Sequence, residues 1–114
     1  MQTEDFEWDD AKAASNLKDH RVSFDTARRA FDDPYAFEAL DDREAYGEDR
    51  YLLLGMVDGR LLHVAYTYRG ERTRIITAYG ATPFEHQIYH EFEDAIRAAR
   101  AARTGDKDES EGPE

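Results

Sequence analysis

The chain has no cysteine in its 114 residues, which excludes a disulfide framework and any thiolate metal site. No stretch approaches the roughly 18 consecutive apolar residues that read as a membrane span. Met1–Asp5 lacks the charged-then-apolar pattern of a secretory signal. These absences predict a soluble cytoplasmic protein with no membrane partner. No Gly-rich phosphate loop, nucleophile elbow, metal-ligand cluster or internal repeat can be found, so no cofactor or metal is expected. Lysine is confined to Lys12, Lys18 and Lys107. Positive charge as a whole is the minority: 15 Lys+Arg stand against 26 Asp+Glu, a formal net charge of -11. Such a balance repels nucleic acid at long range.

The acids are not evenly spread. They gather at Glu4–Asp10, Asp32–Asp49 and Asp106–Glu114, whereas the segment from Arg60 to Arg74 holds four arginines and one acid, Glu71. A local basic patch can therefore persist on an acidic protein, its binding more selective and more sensitive to salt. Low lysine with abundant acid is also compatible with a high-salt cytoplasm.

The length suits one domain with a modest core. Residues 2–8 read as a first strand, with Phe6 and Trp8 as its core anchors. Asp9 then caps a helix whose small apolar face is Ala11, Ala13, Ala14 and Leu17. Lys12, Asn16 and His20 form a polar stripe on that helix at i, i+4 spacing, with the solvated side as its ordinary explanation. Ser23 caps a second helix carrying Phe24, Ala27 and Phe31, and Pro34 ends it. Tyr35–Leu40 is expected as an edge strand and Asp41–Asp49 as a polar loop. Three strands follow, Arg50–Val57, Arg60–Arg69 and Arg72–Tyr79, joined by tight turns at Asp58-Gly59 and Gly70-Glu71. Thr82-Pro83-Phe84-Glu85 is a capping box opening a last helix. Phe84, Ile88, Phe92, Ile96 and Ala99 form the stripe expected to pack on the sheet. Arg97, Arg100 and Arg103 fall where the last turns and their dipole favour cations. From Thr104 the chain loses its apolar residues. The expectation is an α+β domain over residues 1–103, two N-terminal helices and one C-terminal helix on a mainly antiparallel twisted sheet, followed by an acidic disordered tail, 104–114.

Arg72 and Arg74 share a strand face, and Arg69 joins or opposes them according to register. Guanidinium groups bind phosphate through paired donors and can stabilise a pentacoordinate phosphorus; a solvated face neutralising the acidic loop is the simpler account from composition. Glu85 has a structural role in the capping box, and a general-base role would compete for the same oxygens. His86 and His90 have the spacing of a two-histidine zinc site but no third ligand, so an exposed pair is expected. His63, within a strand, is either a satisfied core histidine or a general acid.

One combination of residues is more specific than any of these signals. Phe6-Glu7-Trp8-Asp9, Lys12, Asn16, His20 and Ser23-Phe24 open it. Phe31, Asp33-Pro34, Asp41-Asp42, Arg50, Gly55, Gly59–Leu62, Thr67, Arg69, Arg74–Ile76, Ala78, Ala81, Glu85 and Tyr89 continue it. This order, over residues 6–92, resembles the BrnT family, the toxin half of a bacterial type II toxin–antitoxin pair. The resemblance implies a RelE-like fold and a metal-independent endoribonuclease that inhibits translation. It further implies neutralisation by a BrnA-like ribbon-helix-helix antitoxin in a hetero-oligomer, with promoter DNA met only through that antitoxin. RNA would be cleaved by transesterification, with Arg69, Arg74, Glu85 and Tyr79 as catalytic residues and Arg72, Arg60, Lys12 and His20 as RNA contacts. Tyr79 departs from the family, which commonly carries arginine there and further cations into the last helix. That departure bears on catalytic strength and leaves fold and antitoxin contact untouched. The alternative is therefore a weakened or inactive toxin-fold module acting in antitoxin binding and transcriptional autoregulation.

Overall fold

The computed structural model describes residues 1–42 and 47–110, with side chains through Arg103. Residues 43–46 of the expected polar loop and 111–114 of the expected tail lie outside the described residues. The elements are β1 (Phe6–Glu7), α1 (Asp10–His20), α2 (Phe24–Arg28) with a 3-10 turn (Arg29–Asp32), β2 (Phe37–Asp41), β3 (Arg50–Val57), β4 (Arg60–Arg69), β5 (Arg72–Gly80) and α3 (Pro83–Ser110). The five strands form one mixed sheet in the order β1-β5-β4-β3-β2. β1 runs parallel to β5, and the other three pairings are antiparallel. The architecture is α+β, with two helices before the meander and one after it.

Local chemistry sets the boundaries. Asp9 accepts the Lys12 amide at 3.0 Å and Ser23 accepts that of Thr26 at 3.0 Å, each satisfying an orphan donor of a first helical turn. Asp58 and Gly59 both take positive φ, 50° and 83°, the combination a two-residue turn needs to match the strand twist. Thr82 and Glu85 exchange the two bonds of the capping box, at 3.0 and 3.1 Å.

The main core lies between the sheet and the layer of α1, α2 and the 3-10 turn. It is built from Trp8, Val22, Phe24, Ala27, Ala30, Leu53, Val57, Leu62, Val64, Tyr66, Ile75 and Ala78. Trp8 packs edge-on to Phe24 at 5.9 Å, and Phe6 edge-on to Phe31 at 5.3 Å. Gly55 lets the 3-10 turn touch β3: a Cβ there would lie 2.5 Å from the Ala30 carbonyl oxygen.

Helix α1 turns Asn16 of its polar stripe onto the sheet, contrary to the sequence expectation, while Lys12 and His20 stay exposed. Asn16 is 6% exposed while Leu17 is 50% exposed. The reason lies in β5. β1 covers only the Thr73 and Arg74 end of that strand, so the outward backbone groups of Ala78 need another partner. Asn16 supplies it, accepting from the Ala78 amide and donating to the Ala78 carbonyl. A single side-chain amide here does the work of a missing strand.

The stripe on α3 departs from expectation at its start. Ile88 packs as expected and Phe92 lies edge-on to Phe37 of β2 at 5.3 Å, but Phe84 is 69% exposed, and the residue sealed against the sheet is Tyr89, with Leu54 and Leu61. Asp33 explains the phase. One of its carboxylate oxygens receives the Met56 amide at 2.8 Å and the Tyr89 hydroxyl at 2.6 Å, and the other receives the Tyr35 amide at 2.8 Å. Burial, then the bond to Asp33, raises the Tyr89 pKa well above the usual tyrosine range. Arg97 and Arg100 lie over the Tyr35 ring, at 4.4 and 5.2 Å. They grip the domain from the middle of a helix that runs to Ser110 instead of neutralising its end. No described helix is long and apolar enough to cross a membrane.

Candidate functional site

The register of β4 and β5 decides which side chains share a face. His63 pairs with Tyr79 and Ala65 with Thr77; then the pairing slips, so that Tyr66 meets Ile75, Thr67 meets Arg74 and Arg69 meets Arg72. Strict alternation along β5 would put Arg72 and Arg74 on the side of Ala78, in the core. One extra residue, Ile76, returns them to the side of Tyr79, since a bulge shifts the alternation by one. Arg69, Arg72, Arg74, His63 and Tyr79 thus occupy the face opposite α1 and α2.

Two groups result, separated by about 16 Å at five residues of roughly 3.3 Å rise from Arg74 to Tyr79. At the hairpin end, every one of these arginines already has a partner. Arg74 Nη1 lies 2.7 Å from Glu7 Oε2, Arg72 Nε donates to the Thr3 carbonyl at 2.7 Å, and Arg69 Nε lies 3.7 Å from Glu48. Arg50 reaches the same glutamate at 3.8 Å. The Arg74 guanidinium holds the Glu7 carboxyl below the usual range. Glu4, Arg69, Gly70, Glu71 and Arg72 surround an open cavity of about 420 Å³ beside this turn.

At the far end, His63 is 2% exposed. Its Nδ1 lies 2.6 Å from Glu85 Oε2, and its ring stacks on Tyr79 with centroids 4.4 Å apart and 15° between planes. His20, at the end of α1, lies 5.7 Å from the Tyr79 ring. Glu85 divides its oxygens, Oε1 taking the Thr82 amide and Oε2 facing His63. The capping role and a role at the site therefore do not compete for one oxygen. Burial raises the Glu85 pKa, but the bonds from Thr82 and His63 outweigh it and leave the carboxyl below its usual range.

The proposed site residues are thus partly gathered. Arg69, Arg72 and Arg74 come together, as do Tyr79, Glu85 and His20. Arg60 sits elsewhere, its guanidinium beside Gly80 and its strand position in phase with the core residue Leu62. Lys12 is exposed near the start of α1. Arg50 was absent from the expected site. For His63 the sequence left open a satisfied core histidine or a general acid; the structure gives it the partner that a histidine at an inward position of an apolar strand needs. On α3, His86 and His90 are exposed with rings 6.2 Å apart, and His90 Nδ1 lies 3.2 Å from Glu93. Among the described residues no group of three or more His, Asp or Glu is arranged to hold a metal ion.

No curated protein matches the chain. A family model does: residues 8–85 match that of the ribonuclease toxin, BrnT, of type II toxin–antitoxin systems. That span runs from the Trp8 anchor through the meander to Glu85, and the chain belongs to the BrnT family of ribonuclease toxins.

Proposed function

We propose that the chain is a RelE-like, metal-independent endoribonuclease that arrests translation in the cytoplasm until a BrnA-like ribbon-helix-helix antitoxin binds it. The hetero-oligomer would reach promoter DNA through the antitoxin alone. The observation that carries the proposal is the shared sheet face, with three arginines at one end and the His63–Glu85–Tyr79 group at the other. RNA lying along β4 and β5 would give flanking phosphates to Arg69, Arg72 and Arg74, about 16 Å along the face from His63. Tyr79 would contribute binding at the opposite end. Glu85, with both oxygens engaged, would act on the proton transfer through His63. Arg60 and Lys12, remote from this face, would add only peripheral attraction.

A second reading has its own observation. Phosphate must displace Glu7 from Arg74, where the side chains are 26% and 14% exposed, on a chain of net charge -11. An arginine so neutralised suits a module that keeps the toxin fold for antitoxin binding and autoregulation without cleaving RNA. Induced expression in a bacterial host at its own salt level separates the two. The nuclease reading expects growth arrest and RNA fragmentation, relieved by Arg74→Ala with the domain still folded. Unchanged growth and intact RNA from the native chain would leave the binding module as the function.

A further inference from the structure

We propose that His63 is the general base of this domain, its Nδ1–H held by Glu85 and its Nε2 receiving the proton of the RNA 2′-hydroxyl; the inference rests on the ribonuclease reading. A buried strand histidine paired with a carboxylate at 2.6 Å is first of all a satisfied core residue. Three further features of the arrangement exceed that need. The carboxylate is itself fixed, because Oε1 is spent on the Thr82 amide at the first turn of α3. An ionised carboxylate only accepts, so the ring nitrogen facing it must carry a proton, and the lone pair available to a base is the one on Nε2. Finally, Tyr79 stacks flat on the imidazole, setting the ring plane as Glu85 sets its rotation. Tautomer, rotation and plane are therefore all determined before substrate arrives, which is what an oriented base requires.

The surroundings define what can titrate. Glu85 faces His63 from α3 and Tyr79 from β5, with His20 of α1 across the tyrosine ring. The β3 neighbour is Leu54, which does not titrate. In the step proposed, the 2′-oxygen–phosphorus bond forms as the bond from phosphorus to the 5′-oxygen breaks. The 2′-hydroxyl proton passes to Nε2. Water protonates the leaving 5′-oxygen, and the hydroxide so formed takes the proton back from the imidazolium. The products are a 2′,3′-cyclic phosphate and a 5′-hydroxyl end.

Glu85 is then a positioning residue, and Glu85→Gln is the informative variant. Glutamine keeps an oxygen for the Thr82 amide but can turn its NH₂ towards Nδ1. That would force the proton onto Nε2 and remove the base without removing the ring. The test uses the purified full chain, a mixed-sequence single-stranded RNA and its all-2′-deoxy counterpart as control, over a range of pH. Expected are cleavage of the RNA alone, cyclic phosphate ends, and a loss of about 100-fold or more in kcat for Glu85→Gln. KM should change little, and the rise of rate with pH should flatten. His63→Gln should lose activity to a similar extent, with the fluorescence of Trp8 checking the fold of both variants. A folded Glu85→Gln protein within threefold of the native rate and with the native pH profile would overturn the assignment while leaving the nuclease reading intact. Absence of cleavage by the native chain would overturn both.

Discussion

Asn16→Ala removes a side-chain amide whose donors and acceptor are all in use. Its Nδ2 donates to the Val22 and Ala78 carbonyls at 2.9 and 2.7 Å, and its Oδ1 accepts from the Ala78 amide and the Thr77 hydroxyl at 3.1 and 2.9 Å. Alanine leaves four polar groups behind. The Thr77 hydroxyl can rotate to water, but Val22 and Ala78 are 2% and 0% exposed. Each unsatisfied buried group costs about 1–3 kcal/mol. Taking the low end for the three backbone groups, because water can enter the space left by the amide, gives a loss of about 3–5 kcal/mol. That is a large share of the roughly 5–15 kcal/mol that stabilises a small domain. An unfolding entropy of about 2.1 cal/mol/K per residue gives about 240 cal/mol/K for this chain, so Tm should fall by roughly 12–20 °C. Trp8, the single tryptophan, is buried against Phe24 and reports urea unfolding by fluorescence. Asn16→Asp should be no milder at neutral pH, since it turns an oxygen towards two carbonyls. Lys12→Ala, one turn earlier on the same stripe, should stay within about 0.5 kcal/mol of the native chain. A loss below about 1 kcal/mol for Asn16→Ala, at unchanged denaturant slope, would refute the claim that this amide completes the edge of β5.

Two further outcomes follow from contacts elsewhere. Gly55→Ala sets a methyl 2.5 Å from the Ala30 carbonyl oxygen and 2.9 Å from the Ala30 Cβ; overpacking of this kind costs about 1–3 kcal/mol, and a neutral result in urea unfolding would mean that the 3-10 turn does not press on β3. Glu85 has a folded-state pKa below its ordinary value of 4.5, so its ionisation stabilises the fold fully above that value, and the contribution is lost as pH falls through the lower folded value. The stability gap between the native chain and Glu85→Gln should therefore be constant above about pH 5 and close on acidification; a gap that widens below the ordinary value would contradict the pairing.

Much of the fold was legible because its signals are local. Asp9, Ser23 and Thr82 cap helices through groups three residues away, and Asp58-Gly59 and Gly70-Glu71 define their turns by backbone conformation. The bounds of β3 and β4 match the sequence expectation for the same reason. What could not be read was the direction in which a helix faces. On α1, Asn16 looks as solvated as Lys12 and His20 on the same stripe until β5 is seen to lack a partner beyond Arg74. On α3, the apolar spacing places Ile88 and Phe92 correctly, but the bond from Tyr89 to Asp33 sets the phase so that Phe84 is left in solvent.

The candidate site divides in the same way. Composition and order placed arginines between Arg60 and Arg74, marked Glu85 as a cap, and carried the family resemblance that the match over residues 8–85 shows. Only the tertiary structure could put Arg69, Arg72 and Arg74 on the face of His63 and Tyr79, because that depends on one extra residue at Ile76 and on register across two strands. It alone tied Arg74 to Glu7, 67 residues away in the chain, and brought His63 to the second oxygen of Glu85. Caps and turns are set by neighbours in sequence, so the sequence determines them by itself. Faces, registers and ion pairs depend on what distant segments leave unsatisfied, and that is decided only when the chain has closed on itself.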